Sequence, residues 1–397
     1  MAWLGTILAV LCGLISVAWL RRHGAVSHAR RENPRLTGRE AGPPAGTTPA
    51  VSILVAGKDE AANIDACVRS LLGQDWENLE VIVIDDRSSD ATAELARQAG
   101  GGDGRLRVLQ VRELPAGWAG KNHAMWRGAA VARGAWLCMT DADCQFTSPR
   151  AVRAALGYAL AEEIDLLSVL PNLEMRGFWE NVIQPVCSAI MVFWFNPASV
   201  NDPRRRTAYA NGAFMLFRRE AYDAVGGHEA VKDRLMEDMA FAQRVKQAGR
   251  RLRVVQGEEM VRVRMYDSLG AILRGWSRIF FGTFGTKGRL AITLVVMLMM
   301  GLLPYATALA GWIVWSAGGP GAWLAAALLG TAAAAAQVSV IYRFYRLAGA
   351  RAALCWTYGL GCVMAVVALL EAFGKHRRGA TVRWRGTSYG ARGGQRS

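Results

Sequence analysis

Long uncharged runs stand at both ends of this 397-residue chain, and between them lies a stretch that alternates short β-type runs with amphipathic helical ones. Ala2 to Leu20 carries no charge and matches the ~20 residues that a bilayer-spanning helix needs. After the middle come Leu290 to Trp315, Ala322 to Tyr342 and Ala352 to Phe373, separated by Gly318-Gly319-Pro320-Gly321 and by the basic loop Arg343 to Arg351. Hydrocarbon leaves no solvent for backbone polar groups, so runs of this length are expected as helices. The chain is therefore expected to fold as an α/β domain held between one N-terminal and about three C-terminal transmembrane helices.

Charge places these runs. The formal net charge is +15, and the arginines crowd beside the apolar segments: Arg21, Arg22, Arg30 and Arg31 near the start, Arg377 to Arg396 at the end. Basic residues flanking a span mark its cytoplasmic side and favour anionic headgroups. No nucleic-acid recognition module accompanies the charge, so no nucleic-acid partner is expected. A cleavable leader would carry a basic segment before its apolar run, and none precedes Ala2. An uncleaved anchor in a bacterial inner membrane follows, with the middle domain cytoplasmic. One conflict stands: three further crossings would put the basic tail outside, against the positive-inside rule. Pro304 inside an overlong first run leaves a re-entrant or interfacial segment open. The seven cysteines are scattered without zinc-ligand spacing and read as reduced, structural thiols.

The organisation expected is an anchor over 1–20, a basic linker over 21–48, the α/β domain over 49–265, an interfacial amphipathic helix over 266–288, apolar helices over 289–374 and a basic tail over 375–397. Within the domain, Val51 to Val55 is strand-like, Ala61 to Leu72 has apolar residues at helical spacing, and Leu79 to Ile84 is a second strand ending in Asp85-Asp86. Ser88 to Gln98 restarts as a helix, with Ser88, Ser89 or Asp90 available to cap it, and Leu106 to Val111 is a third strand. Such alternation predicts a mostly parallel sheet with helices on both faces and a ligand site beyond the carboxyl ends of the strands.

Acidic residues stand at that edge. Ala135 to Thr140 is another apolar run, and it delivers Asp141-Ala142-Asp143. Carboxylates two apart at a strand end suit a hard divalent cation, Mg2+ or Mn2+, whose other ligands are substrate phosphates and water.

Several of these segments together resemble family 2 glycosyltransferases of the GT-A fold, a Rossmann-like mixed sheet with helices on both faces. The resemblance is carried by Val51 to Ile64, by Val83-Ile84-Asp85-Asp86-Arg87-Ser88-Ser89-Asp90-Ala91-Thr92, by Gly117-Trp118-Ala119-Gly120-Lys121-Asn122, by Thr140-Asp141-Ala142-Asp143, by Asn211-Gly212-Ala213-Phe214 and by Glu237-Asp238. It covers about Val51 to Trp276 and is nearest to membrane-bound members acting on lipids, the hopanoid-associated, carotenoid and ceramide enzymes. The resemblance implies a nucleotide-diphosphate-sugar donor, with a UDP-sugar favoured, and a membrane lipid acceptor. It implies that Ala56, Glu60, Asp85 and Asp86 line the donor site, that Lys121 reaches the diphosphate, that Asp143 is the principal metal ligand and that Asp141 touches the ribose or the metal. Asp238 would be the catalytic base of an inverting transfer, with Glu237 orienting the site.

Bland readings stand beside these. Glu60, Glu237 and Asp238 also suit helix starts, where a carboxylate meets the positive end of the dipole. His228, after Gly226-Gly227, reads as a solvated loop residue. Trp179 to Phe195 fits both a bilayer-dipping segment and core packing. At Arg274-Gly275-Trp276-Ser277-Arg278 the chain departs from the Arg-Trp ending of processive synthases, which leaves Trp276 and Arg278 as weak acceptor contacts and favours single transfer over a polymer synthase. A non-catalytic membrane scaffold is the reading from another class.

Overall fold

In the computed structural model the described residues are 2–257, 259–377, 382–384 and 387–389. The chain divides into two units: a sheet unit that includes Asn33–Glu174 and Phe195–Met265, and a helical unit made of the N-terminal helix, Met175–Trp194 and the chain from Tyr266 through its last helix.

Helix α1 (Ala2–Glu32) runs well past the arginines at which the expected anchor ended. Arginine is a good helix former, so nothing at Arg21-Arg22 stops the helix. The remainder of the expected linker is not loose either. Leu36 is buried and donates its amide to the Gln256 carbonyl at 2.8 Å, adding the segment to the edge of the sheet.

The sheet unit opens with β1 (Val51–Gly57), α2 (Ile64–Leu72), β2 (Leu79–Asp86), α3 (Thr92–Gly100), β3 (Leu106–Val111), α4 (Gly120–Val131) and β4 (Trp136–Asp141). There follow β5 (Cys144–Phe146), α5 (Ala151–Ala161), β6 (Leu166–Leu170) and β7 (Asn172–Leu173). After α6 (Phe178–Trp194), which belongs to the helical unit, come α7 (Pro197–Asn201), β8 (Met215–Arg218), α8 (Arg219–Ala224), α9 (Glu237–Gln247), β9 (Leu252–Gln256) and β10 (Val261–Val263). The main sheet has the order β3-β2-β1-β4-β8-β6-β9, and β5-β10-β7 form a small second sheet. Strands β1, β2, β3 and β4 are parallel, while β8 runs antiparallel between β4 and β6. The sheet is thus mixed, as expected.

Parallel strands covered on both faces bury every side chain, and β2 is buried along its whole length, Glu80 included. Glu80 is satisfied there by the Ser52 hydroxyl at 2.6 Å and the Arg133 amide at 2.7 Å. Ile53, Val55, Val81 and Val83 pack with Ile64, Val68 and Leu71 of α2 into the main core. Register puts the functional ends level: Gly57 pairs with Asp85, and Ala56 pairs with both Ile84 and Asp141.

The helical unit contains α10 (Leu269–Phe284), α11 (Lys287–Val296), α12 (Leu303–Ser316), α13 (Gly321–Leu347) and α14 (Tyr358–Arg377). Three apolar C-terminal helices of bilayer length, Lys287–Ser316, Gly321–Leu347 and Ala352–His376, join the N-terminal one, and Phe178–Asn201 is a further candidate. The first of them is continuous from α11 into α12 through a π-helical turn, Met297–Leu302, just before Pro304. That turn absorbs the proline, so the run does not fold back as a hairpin. Helix α6 leaves the sheet unit after β7 and returns to it before β8, a strand bonded to both β4 and β6.

Helices α1 and α13 run in the same direction. Gly5 packs against Ala322 near their starts, and His23 Nε2 lies 3.0 Å from Ser339 Oγ near their ends. Helix α12 runs the opposite way along α13, because a Cβ built on Gly311 would stand 2.5 Å from the Ala327 nitrogen and one on Gly330 would stand 2.6 Å from that of Ala308. Small residues let backbones approach this closely in a medium that supplies no hydrophobic drive. Helix α14 begins beside the middle of the α11–α12 run, with Gly301 against Cys362, and ends with Lys375 donating to Ser277 of α10 at 3.0 Å. The basic tail lies for the most part outside the described residues.

Candidate active site

Two loops meet at the carboxyl edge of β1 and β2. Asp59 is held at φ 54 and Arg87 at φ 57, backbone conformations that bulky residues adopt only under outside constraint. The constraint is a set of cross-loop bonds: the Ser89 amide and hydroxyl donate to Asp59 Oδ1 at 2.7 and 2.9 Å, the Asp59 amide donates to Ser88 Oγ, and the Ala61 amide donates to Asp90 Oδ2. The residues expected to cap α3 are thus spent largely on joining the loops, and Ala91 takes the cap position with no side-chain bond. Glu60 is buried at this junction, its Oε2 accepting from Asn63 Nδ2 at 2.7 Å.

Strand alternation sends Asp85 and Asp86 to opposite faces. Asp85 accepts from the Ser88 amide at 3.3 Å and lies 3.5 Å from Gln110 Nε2. Asp86 is buried, paired with Arg87 at 2.8 Å, and lies so close to the first turn of α4 that a Cβ on Gly120 would run into its Oδ2. Ala56, the last-but-one residue of β1, sits between the ends of β2 and β4.

Lys121 follows Gly120 in that first turn, an unfavourable place for a cation. Two carboxylates offset the cost: Nζ lies 2.5 Å from Asp141 Oδ1 and 2.6 Å from Glu237 Oε1, with the lysine side chain 18% exposed. Burial opposes its charge, yet Asp141 and Glu237 hold the ammonium well above the usual lysine range. The loop Asn211 to Phe214 closes the group. A Cβ on Gly212 would lie 3.2 Å from Lys121 Nζ, 3.5 Å from Asp141 Oδ2 and 3.7 Å from Glu237 Oε1, so glycine leaves room for the cluster. The Gly212 amide donates to Asp238 Oδ2 at 3.1 Å, and the Met239 amide donates to Oδ1 at 2.7 Å. Burial and the neighbouring Glu237 carboxylate raise the Asp238 carboxyl to about 7.

Asp141 and Asp143 present oxygens within 4.8 Å of one another, and Cys144 Sγ falls in the same group. Burial and the two aspartates push that thiol well above its usual range. Two carboxylates at a strand end, open to further oxygen ligands, fit Mg2+ or Mn2+.

Residues that went unassigned in the sequence hold this arrangement together. Asn122 Nδ2 donates to the Val231 carbonyl at 2.6 Å and the Arg234 carbonyl at 2.9 Å, and the Ala119 amide donates to Lys232 at 2.6 Å. The turn carrying Lys121 is thereby tied to the segment that leads into α9. His228 is not solvated as expected but buried, its Nδ1 2.8 Å from the Tyr222 hydroxyl and its pKa depressed to about 3 by burial and nearby Lys121. Tyr209, half-buried near Asp238, has its phenol raised to about 12 by desolvation and that carboxylate. None of these had a signal in the sequence beyond a polar residue next to a motif.

Lys121, Asp141, Glu237 and Asp238 therefore converge around Gly212, with Asp143 beside Asp141 and Asp86 against Gly120, the residue before Lys121. Trp276 and Arg278 belong to the helical unit on α10, where Trp276 is buried against Phe280 with ring centroids 5.5 Å apart.

Comparison with known proteins gives the family and the fold. The family model for glycosyl transferase family 2 matches residues 52–226, and that for glycosyl transferase family group 2 matches residues 148–370. A 4,4'-diaponeurosporenoate glycosyltransferase of Staphylococcus aureus is 27% identical over 307 residues, covering 75% of this chain and 76% of its own length. Among solved structures, the mannosyltransferase PcManGT from Pyrobaculum calidifontis, in complex with GDP-Man and Mn2+, superposes with a TM-score of 0.52 at 18% identity, over 92% of this chain and 99% of that one. The fold is thus GT-A, and the chain belongs to the family 2 glycosyltransferases, with apolar helices of bilayer length attached to its catalytic domain.

Proposed function

We propose that this enzyme is an inverting, metal-dependent glycosyltransferase that moves a sugar from a nucleotide-diphosphate donor, with a UDP-sugar favoured, to a membrane lipid. One observation carries the reading: Lys121, Asp141, Glu237 and Asp238 converge on Gly212, beside Asp143 and one residue along from the Gly120–Asp86 contact.

In this reading Asp86, Ala56 and Glu60 line the nucleotide site, and Asp143 with Asp141 holds the divalent ion. The ion, when bound, supplies Lewis-acid neutralisation of the diphosphate. Lys121 adds a mobile positive charge to the same phosphates. The acceptor hydroxyl attacks the anomeric carbon opposite the leaving group, so the new C–O bond forms as the sugar–phosphate bond breaks and its electron pair passes to the diphosphate. The acceptor proton goes to the Asp238 carboxylate. A base whose pKa lies near 7 is well matched to that task at neutral pH. Glu237, held by Lys121, keeps the base and the diphosphate side of the site in register.

A lipid acceptor is supported by the apolar helices and by the name of the staphylococcal relative, whose acceptor is a carotenoid acid. Family membership favours transfer over the scaffold reading, and the Gly275-Trp276 departure favours single transfer over polymer synthesis. The helix directions support a cytoplasmic catalytic domain with the tail on its side. Helices α12 and α13 make an out-and-back pair, and α14 ends beside α10, the helix that directly follows the sheet unit. That arrangement meets the positive-inside rule.

The test is transfer by the full-length protein in detergent, supplied in turn with UDP- and GDP-sugars and membrane lipid extract, with glycolipid read by mass. Glycolipid lost in Asp143→Asn supports the reading. Turnover unchanged in that variant removes the metal role, and no product with any donor removes the lipid reading.

A further inference from the structure

We propose that the Lys121 ammonium is a resident counter-cation of the empty cleft, displaced jointly by a divalent ion and a nucleotide diphosphate, so that each ligand binds weakly until the other is present. The inference rests on the reading above in which Asp141 and Asp143 are the cation ligands.

The geometry requires an exchange. Lys121 Nζ bridges Asp141 Oδ1 at 2.5 Å and Glu237 Oε1 at 2.6 Å, contacts that only direct ion pairing gives. A divalent ion ligated by Asp141 would need oxygens of the same carboxylate and would stand a few ångströms from a like charge. Metal alone must therefore bind against Lys121. Without the ammonium, in turn, Asp141 and Glu237 would lose the cation that bridges them. Lys121 thus does for the empty site part of what a metal does for the filled one.

The surroundings allow the side chain to move while its backbone stays. Asn122 and Ala119 pin the turn through carbonyls of 231–234. Gly212 contributes no Cβ to crowd Nζ, where one would stand at 3.2 Å. A lysine has a flexible four-carbon stem and a compact charge, so it can pivot from carboxylates to phosphates. A diphosphate draws the ammonium off Asp141 and so frees a metal ligand. A bound ion, conversely, releases Lys121 to the diphosphate. By linkage each ligand strengthens the other by the same factor.

The experiment measures Mn2+ binding by the full-length protein in detergent, from the paramagnetic resonance of unbound Mn2+, alone and with UDP or GDP. In the wild type Mn2+ alone should bind weakly, and nucleotide should tighten it by about tenfold or more, within the ~5–150-fold range of ordinary coupling. In Lys121→Met, Mn2+ alone should bind about tenfold tighter and the nucleotide effect should shrink. Lys121→Gln, which keeps a donor for Asp141 or Glu237, serves if the Met variant fails to fold. Unchanged or weaker Mn2+ binding without nucleotide in a folded Lys121 variant overturns the inference. Asp143→Asn separates the two levels: wild-type Mn2+ binding in that variant would refute the cation site itself, whereas its loss leaves the Lys121 result to decide.

Discussion

Replacing Asp238 by Asn tests the proposed chemistry most directly, because the structure lets folding and catalysis be weighed separately. The carboxylate accepts from the Gly212 amide at 3.1 Å and the Met239 amide at 2.7 Å. Asparagine has one acceptor oxygen, so one of these bonds is lost, at about 1 kcal/mol. Against that loss, the variant removes a negative charge that burial and Glu237 already disfavour. The two effects oppose, and the melting temperature should change by no more than about 5 °C. Catalysis has no such offset. Loss of a positioned general base costs about 10²–10⁴-fold in rate, or roughly 3–5 kcal/mol of barrier. The pH profile sharpens the test. With a folded-state pKa of about 7 in the free enzyme, Asp238 is protonated below that pH and active above it, so wild-type kcat/KM should rise tenfold per unit toward pH 7 and then level. In Asp238→Asn the residual rate should lose this limb, while nucleotide binding by calorimetry stays within about twofold of wild type, since no donor contact is removed. Wild-type turnover, or an unchanged acidic limb in the variant, would refute the base assignment.

Other sites give independent tests. Gly120→Val should drive a side chain into Asp86 and weaken UDP or GDP binding about tenfold or more, at the ~1–3 kcal/mol scale of overpacking; equal affinity in calorimetry would separate Asp86 from the nucleotide. Asn122→Ala should lower kcat more than it raises donor KM, because it unties the Lys121 turn from the segment before α9; a pure stability loss with normal kcat would reduce Asn122 to packing. Gly330→Leu should part α12 from α13 and lower the melting temperature in detergent, and an unaltered melt would contradict the close approach at Ala308. A tag fused after Ser397 should be labelled only from the cytoplasmic face; labelling from outside would overturn the helix directions proposed for the tail.

Much of the architecture could be read from residue order, because period and length are local properties. Runs such as Ala2 to Leu20 declare their solvent by composition alone, and the switch between short continuous apolar runs and helical periods over 51–111 points to a parallel sheet whose strand ends collect ligands. Asp86 and Asp141-Ala142-Asp143 were legible for that reason: each ends a strand. Less visible was the antiparallel β8, since four residues carry too little pattern to state direction. The extent of α1 past its arginines was also hidden, because a helix ends where a stop signal acts and not where charge begins.

What only the tertiary structure decided are the relations that cross the chain. Sequence placed acids at Asp85, Asp86, Asp141, Asp143, Glu237 and Asp238, and the fold brought Asp141, Glu237 and Asp238 around Lys121 and Gly212 while Asp85 took up the Ser88 amide. Lys121 sits between carboxylates from β4 and α9, residues 20 and more than 100 positions away, and its charge state follows from them and not from its neighbours in sequence. His228 moved from an expected solvated loop to the interior by the same logic, since burial is a property of what packs over a residue. Local sequence sets which groups can carry charge and on what element. The fold sets which charges must face each other, and with that the pKa of Asp238 and the hold on Lys121.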